Sequence, residues 1–154
     1  MLHTEAGTEA GTVSHFANPA AQVSSHFGVA LDGHGDQFLD LGDRSWANGI
    51  LEPGNTWLAR VYQGPRGGGV ENPNHWTVTC ETEDLGRAAG VTDAQYRTVL
   101  AAALMAAARY PSIRWLLRHT DISPSSRARC PGDRWLASGR FHQLAAAMRW
   151  ATTV

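Results

Sequence analysis

The sequence predicts an α/β fold: a single domain with a central mixed β-sheet flanked by α-helices. Three observations predict it. Residues 25–31 and 76–82 alternate in character with a period of two, the mark of strands. Residues 92–110 carry a helical apolar stripe. Strands and helices are interleaved along the chain, the order that packs helices onto a sheet.

Residues 1–4 read as the end of a short first strand. Residues 5–23 are small and polar, interrupted by Pro19, and accommodate Ala-rich helical turns. In 25–31, Phe27, Val29 and Leu31 point one way and His26, Gly28 and Ala30 the other. Asp32-Gly33-His34-Gly35-Asp36 reads as a turn, with 37–41 as the returning strand. Residues 50–75 hold Pro53-Gly54-Asn55, Pro65, Gly67-Gly68-Gly69 and Pro73, so they read as a long loop containing Trp57 and Tyr62. Such loops in compact domains are often functional. In 76–82, Trp76, Val78 and Cys80 alternate with Thr77, Thr79 and Glu81, which sets Glu81 on the face opposite Cys80. Thr92 and Gln95 form a capping box that opens a helix to Tyr110, ended by Pro111. Its stripe is Tyr96, Val99, Leu100, Ala103, Leu104 and Ala107. Residues 113–117 read as a further strand that delivers His119 to a loop over 120–134. A closing helix over 139–151 turns Phe141, Leu144, Ala145 and Met148 inward.

The 154 residues, 43% hydrophobic and 18% charged, suffice for one domain with its own core. Thirteen basic residues, all Arg, against fourteen acidic ones give a net charge of −1. That balance argues against a domain that grips nucleic acid by its phosphates. No apolar run reaches the roughly 18 residues of a membrane span. The opening Met1-Leu2-His3-Thr4-Glu5 has neither the basic nor the apolar segment of a signal peptide. Two cysteines, Cys80 and Cys130, are too few for a disulfide scaffold.

Seven His and two Cys are available for metal chemistry. The strongest local pattern runs from His119-Thr120-Asp121 to Cys130-Pro131-Gly132. A loop imidazole and a loop thiolate eleven residues apart can converge on zinc, and a third protein ligand would leave one position open for water. The rival reading is an ordinary loop with a surface His and a buried Cys. For the third ligand, His3, His26, His34 and His75 all stay open at this level.

In order along the chain, six short segments resemble a known family. They are Leu2-His3-Thr4; 23–27 with Asp32-Gly33; Asp43-Arg44-Ser45-Trp46-Ala47-Asn48-Gly49; Asn74 through 78–83; 92–96; and His119 through Cys130-Pro131-Gly132. The ordered set resembles the zinc-dependent N-acetylmuramoyl-L-alanine amidases of type 2, whose fold is shared with peptidoglycan recognition proteins and many phage endolysins. The resemblance implies His3, His119 and Cys130 as zinc ligands. It implies Glu81 as general base for the attacking water and proton donor to the leaving amine. Glu83 lies on the same strand face and is the alternative base. Trp46 and Asn48 are expected to contact glycan or stem peptide, with His26 lining the site rather than ligating. Where many relatives carry a Lys, this chain has Ala128, so Arg127 or Arg129 is expected to supply the positive charge. Ser25 replaces a Tyr of some relatives, and Ala47 replaces a common His.

The expected function is cleavage of the amide between N-acetylmuramic acid and L-alanine by a monomer whose partner is peptidoglycan, not nucleic acid or membrane. A peptidoglycan-binding module without catalysis and a zinc peptidase of stem peptides are the rivals, and a Cys80–Cys130 disulfide is the rival to a Cys130 ligand. The chain starts two residues before His3, so residues 1–154 are expected to be an amidase domain of a longer modular lysin. That lysin would be made without a signal peptide in a host bacterium and act on the wall after release.

Overall fold

The computed structural model of the chain describes residues 1–49, 51–52, 72–86 and 90–152. Most of the predicted 50–75 loop, Trp57 and Tyr62 included, lies outside the described residues. The elements are β1 (Glu5–Ala6), α1 (Glu9–Phe16), β2 (Phe27–Val29), β3 (Gly35–Gln37), β4 (Cys80–Asp84), α2 (Asp93–Arg109), α3 (Asp133–Ala137) and α4 (Arg140–Met148). The sheet order is β1-β4-β2-β3. β4 runs parallel to both neighbours, and β2 and β3 form an antiparallel hairpin. The sheet is therefore mixed, as the interleaved sequence pattern requires.

One face of the sheet packs on α2 and α4. Phe27, Val29 and Cys80 meet Val99, Ala102, Phe141 and Leu144 there, with Leu2 and Trp135 in the same cluster. The other face carries α1. Gly28 permits that approach: a Cβ there would stand 2.7 Å from the Phe38 ring and run into the Glu9 carboxyl. Gly33 is required differently, with φ +92° in the hairpin turn and Ala94 of α2 lying 2.9 Å from where a Cβ would be.

Several elements shift from their predicted places. The strand expected at 76–82 begins at Cys80, because a 3-10 turn at Pro73–His75, capped by the Asn72 side chain, takes up the chain before it. The returning strand is Gly35–Gln37, since Asp32 accepts the His34 N–H and tightens the turn. Residues 113–117 make only single pairings, Trp115 with Ala151 and, just beyond, Arg118 with Leu2. The loop expected over 120–134 gives way to α3, whose Trp135 is buried and donates its indole N–H to Thr82 at 3.0 Å.

α2 begins at the predicted cap, with Thr92 Oγ1 accepting the Gln95 N–H at 3.0 Å. The reciprocal half of the capping box does not form. Gln95 is fully buried and donates instead to the Val29 and Glu83 carbonyls, tying the helix to the sheet. The buried face is accordingly Gln95, Val99, Ala102 and Ala106, and Leu104 is 55% exposed.

Under α1, Glu5 and Glu9 are both buried. Desolvation, then the neighbouring Glu9, pushes Glu5 up to about 9, and desolvation also raises Glu9. A carboxyl that holds its proton more tightly folded than unfolded costs stability as pH rises above its unfolded value. Glu9→Gln is therefore expected to raise the melting temperature more at pH 8 than at pH 5. An equal shift at both pH values in thermal denaturation would contradict the assignment.

Candidate metal centre and active site

β4 places Glu81 next to the first segment of the chain. Backbone bonds from His3 N to Cys80 O (2.9 Å) and from Thr82 N to His3 O (3.1 Å) lay residues 2–4 along β4. The Thr82 hydroxyl also donates to His3 O at 2.8 Å, and His3 is buried.

A local turn delivers His119. Asp121 accepts the Arg118 backbone N–H at 2.8 Å and pairs with its guanidinium at 2.7 Å, closing the 3-10 turn His119–Asp121. Thr120 then folds the following loop back. Its N–H donates to Cys130 O at 3.1 Å, and its hydroxyl bonds Arg127 O and Cys130 O at 2.7 and 2.8 Å. Thr120 is thus the clasp that brings a His and a Cys eleven residues apart to one place, a role the sequence reading did not assign. Glu52 pins the outer part of the loop, accepting the Ser125 and Ser126 N–H groups at 2.8 and 2.9 Å.

His3, His119 and Cys130 converge: their ligand atoms all lie within 4.8 Å of one another. The two Nδ1 atoms are 3.0 Å apart, and Cys130 Sγ is 3.9 Å from His3 Nδ1. Glu81 Oε1 stands 3.8 Å from the same Nδ1. Both cysteines are free, with Cys80 in the core behind the strand.

The hydrogen-bond pattern tests whether this cluster fits a metal. His119 Nε2 faces the Asn48 carbonyl at 3.2 Å, so that nitrogen carries the proton. Thr77 Oγ1 donates to Pro73 O, hence it can only accept from Asn48 Nδ2 at 2.6 Å. That orients Asn48 Oδ1 toward His3 Nε2 at 2.9 Å, so this nitrogen is protonated too. Both Nδ1 atoms are left with bare lone pairs facing each other at 3.0 Å. Such an arrangement is repulsive unless a cation lies between them. Two imidazoles and a sulfur are donors that suit zinc.

Burial keeps both imidazoles neutral: desolvation drives His3 well below its usual value and His119 down to about 4. Desolvation pushes the Cys130 thiol up to about 12, against a 3.4 Å hydrogen bond from Thr4 N–H. A metal bound there would displace the thiol proton, while the histidines have none to lose near pH 7. Metal uptake at pH 7 is expected to release at least one proton per ion, from the Cys130 thiol and in part from the Glu81 carboxyl beside it. Calorimetric titration in buffers of differing ionisation enthalpy measures that number, and release near zero would contradict it.

Glu81 is nearly buried, and desolvation, then the Glu9 charge, raises it to about 8. Glu83 is committed elsewhere: its Oε2 accepts the Leu31 N–H at 2.8 Å. Of the remaining described residues singled out from sequence, only Asn48 hydrogen-bonds to the two histidines. His26 is buried with both ring nitrogens engaged, by Thr79 at 3.1 Å and the Asp43 carbonyl at 3.2 Å. Trp46 is 47% exposed under the Arg44 guanidinium, 4.2 Å from its ring centre. Arg127 and Arg129 are exposed on the loop before Cys130. Asn48 is fully buried against the two histidines. His34 and His142 face solvent.

An N,N,S donor set with a nearly buried carboxylate beside it, on the inner strand β4 of a mixed sheet, has the chemistry of a metal-ion hydrolase. The chain belongs to the N-acetylmuramoyl-L-alanine amidase family, whose model matches residues 1–133. Among solved structures it is similar to AmpD, at 25% identity and a TM-score of 0.62, over 94% of this chain and 82% of that one. AmiD from E. coli, solved with anhydro-N-acetylmuramic acid-L-Ala-D-γ-Glu-L-Lys, is 20% identical with a TM-score of 0.66, over 94% of this chain and 55% of that one. The endolysin amidase LysCS from Clostridium intestinale is 17% identical with a TM-score of 0.58, over 97% and 82%. No curated protein matches the chain in sequence. Among the described residues, no helix is long and apolar enough to cross a membrane.

Proposed function

We propose that the protein is a zinc-dependent peptidoglycan hydrolase that cleaves the amide between the lactyl group of N-acetylmuramic acid and L-alanine. The observation that carries the proposal is the convergence of His3, His119 and Cys130 beside Glu81 in a member of this amidase family. The muropeptide seen with AmiD supports the substrate class. A zinc ion held by the three residues would act as a Lewis acid toward the amide carbonyl and acidify water.

Glu81 accepts the proton of the attacking water and passes it to the leaving amine of L-alanine. Burial raises its affinity for a proton, and a cation held by His3, His119 and Cys130 would keep it ionised until the water proton is taken. Arg127 contributes a positive field: its charge lowers His3, His119, Glu81 and Cys130 alike. The same field favours an oxyanion developing on the scissile carbonyl. Trp46, with Arg44 over its ring, is an exposed aromatic among the described residues that could stack on a sugar ring.

The LysCS likeness in fold supports an endolysin role. In that role residues 1–154 are the amidase domain of a modular lysin that reaches the wall after release from a host bacterium. Digestion of purified cell wall, followed by mass spectrometry of the new ends, tests the bond. Free lactyl carboxylates paired with new L-alanine amino termini are expected. Cleavage within the glycan or between amino acids would overturn the proposal, and wall binding without any new ends would indicate a binding module.

A further inference from the structure

We propose that Asn48 is the positioning residue for both imidazoles of the metal centre, its side chain setting His3 and its backbone carbonyl setting His119. This rests on the metal reading above. The two halves of Asn48 act on different rings. Oδ1 lies 2.9 Å from His3 Nε2, and the main-chain oxygen lies 3.2 Å from His119 Nε2. One residue therefore determines that each ring presents Nδ1, and not Nε2, to the space beside Cys130.

Asn48 is itself held at every polar atom. Its N–H donates to Asn74 Oδ1 at 2.9 Å, and its Nδ2 donates to Thr77 Oγ1 at 2.6 Å. Asn74 is fixed in turn, donating through Nδ2 to Gly49 O at 3.2 Å and to Asn72 Oδ1 at 2.8 Å. The 3-10 turn that delays the start of β4 is thus the anchor of a relay: Asn72, Asn74, Asn48, then the two histidines. The relay is buried at Asn48, Asn74, His3 and His119, where an unpaired amide would be costly. Partners of this kind, one step removed from a metal, orient ligands, and their loss typically weakens metal binding 10- to 100-fold.

The test compares the wild-type chain with Asn48→Ala, Asn48→Asp and Thr77→Val. Zinc affinity is measured by chelator competition. Long-range proton–nitrogen NMR correlations of the imidazoles are recorded with and without zinc. Asn48→Ala removes the side chain but keeps the carbonyl. It is expected to weaken zinc binding roughly 10- to 100-fold and to release the His3 Nε2 proton to fast exchange, with the His119 Nε2 proton unchanged. Asn48→Asp keeps an acceptor for His3 but sets its second oxygen against Thr77 Oγ1, so it is expected to keep the His3 signal and to recover part of the affinity. Thr77→Val leaves Asn48 in place but frees its amide to rotate, and a severalfold loss is expected even if Asn48→Ala does not fold.

Unchanged affinity and an unchanged His3 Nε2 signal in Asn48→Ala would overturn the inference, as would equal disturbance of both rings. If Asn48→Ala is unfolded, wild-type affinity in Thr77→Val would overturn it. A wild-type chain that takes up no zinc would overturn the metal reading instead, and the His3 Nε2 proton in the metal-free protein still reports on the Asn48 contact.

Discussion

Glu81→Gln is expected to lower amidase turnover by about a hundredfold to ten-thousandfold, the usual worth of a positioned acid–base group, while zinc content stays at the wild-type level. The substitution is isosteric and removes only the capacity to take and return a proton. Glu81 is the carboxylate placed for this work, with Oε1 3.8 Å from His3 Nδ1. Glu83 shares its strand face but spends an oxygen on the Leu31 N–H. Glu83→Gln is accordingly expected to leave most of the turnover and to affect stability instead. Steady-state rates on purified wall, together with metal analysis of the same preparations, separate the two residues. Wild-type turnover in Glu81→Gln would remove Glu81 from the mechanism.

Cys130→Ala and His119→Ala are expected to have the other large effect: loss of stoichiometric zinc and a fall of activity to background. Each removes one of the three donors whose ligand atoms converge within 4.8 Å of one another. Chelation of the wild-type protein should reproduce the loss, and added zinc should reverse it. His26→Ala is the informative contrast. That ring is buried like the two histidine ligands, but it bonds Thr79 and the Asp43 carbonyl. Its removal orphans buried polar groups and is expected to destabilise the fold by about 1–3 kcal/mol with zinc retained. Zinc lost from His26→Ala but kept in Cys130→Ala would reverse the assignment of ligands.

The legible parts of the fold were those with local causes. Period-two alternation marked the β2 and β4 regions, and Thr92 marked the start of α2. The inward face of α4 followed from spacing alone, with Phe141, Leu144 and Ala145 buried. Element ends moved where a turn or a tertiary bond competed with the pattern. The 3-10 turn at Pro73–His75 displaced the start of β4, and the Gln95 amide preferred two sheet carbonyls to its own cap. α3 escaped notice because its five residues are too few to show a helical period.

At the site, the sequence by itself determined the chemical types and the strand face of Glu81. By spacing it offered His119 and Cys130 as partners beside the rival of an ordinary loop, left four histidines open for the third place, and pointed to the set His3, His119 and Cys130 only through the family resemblance. The tertiary structure decided how those groups meet. It brought His3 to His119 across 116 residues and turned both Nδ1 atoms inward. It also moved Asn48 from an expected sugar contact to a buried bond with each ring. The physical reason is range. Periodicity and caps arise between residues a few positions apart, whereas ring orientation is set by single hydrogen bonds spanning 45 and 71 residues. Such bonds leave no repeating trace in the chain that makes them.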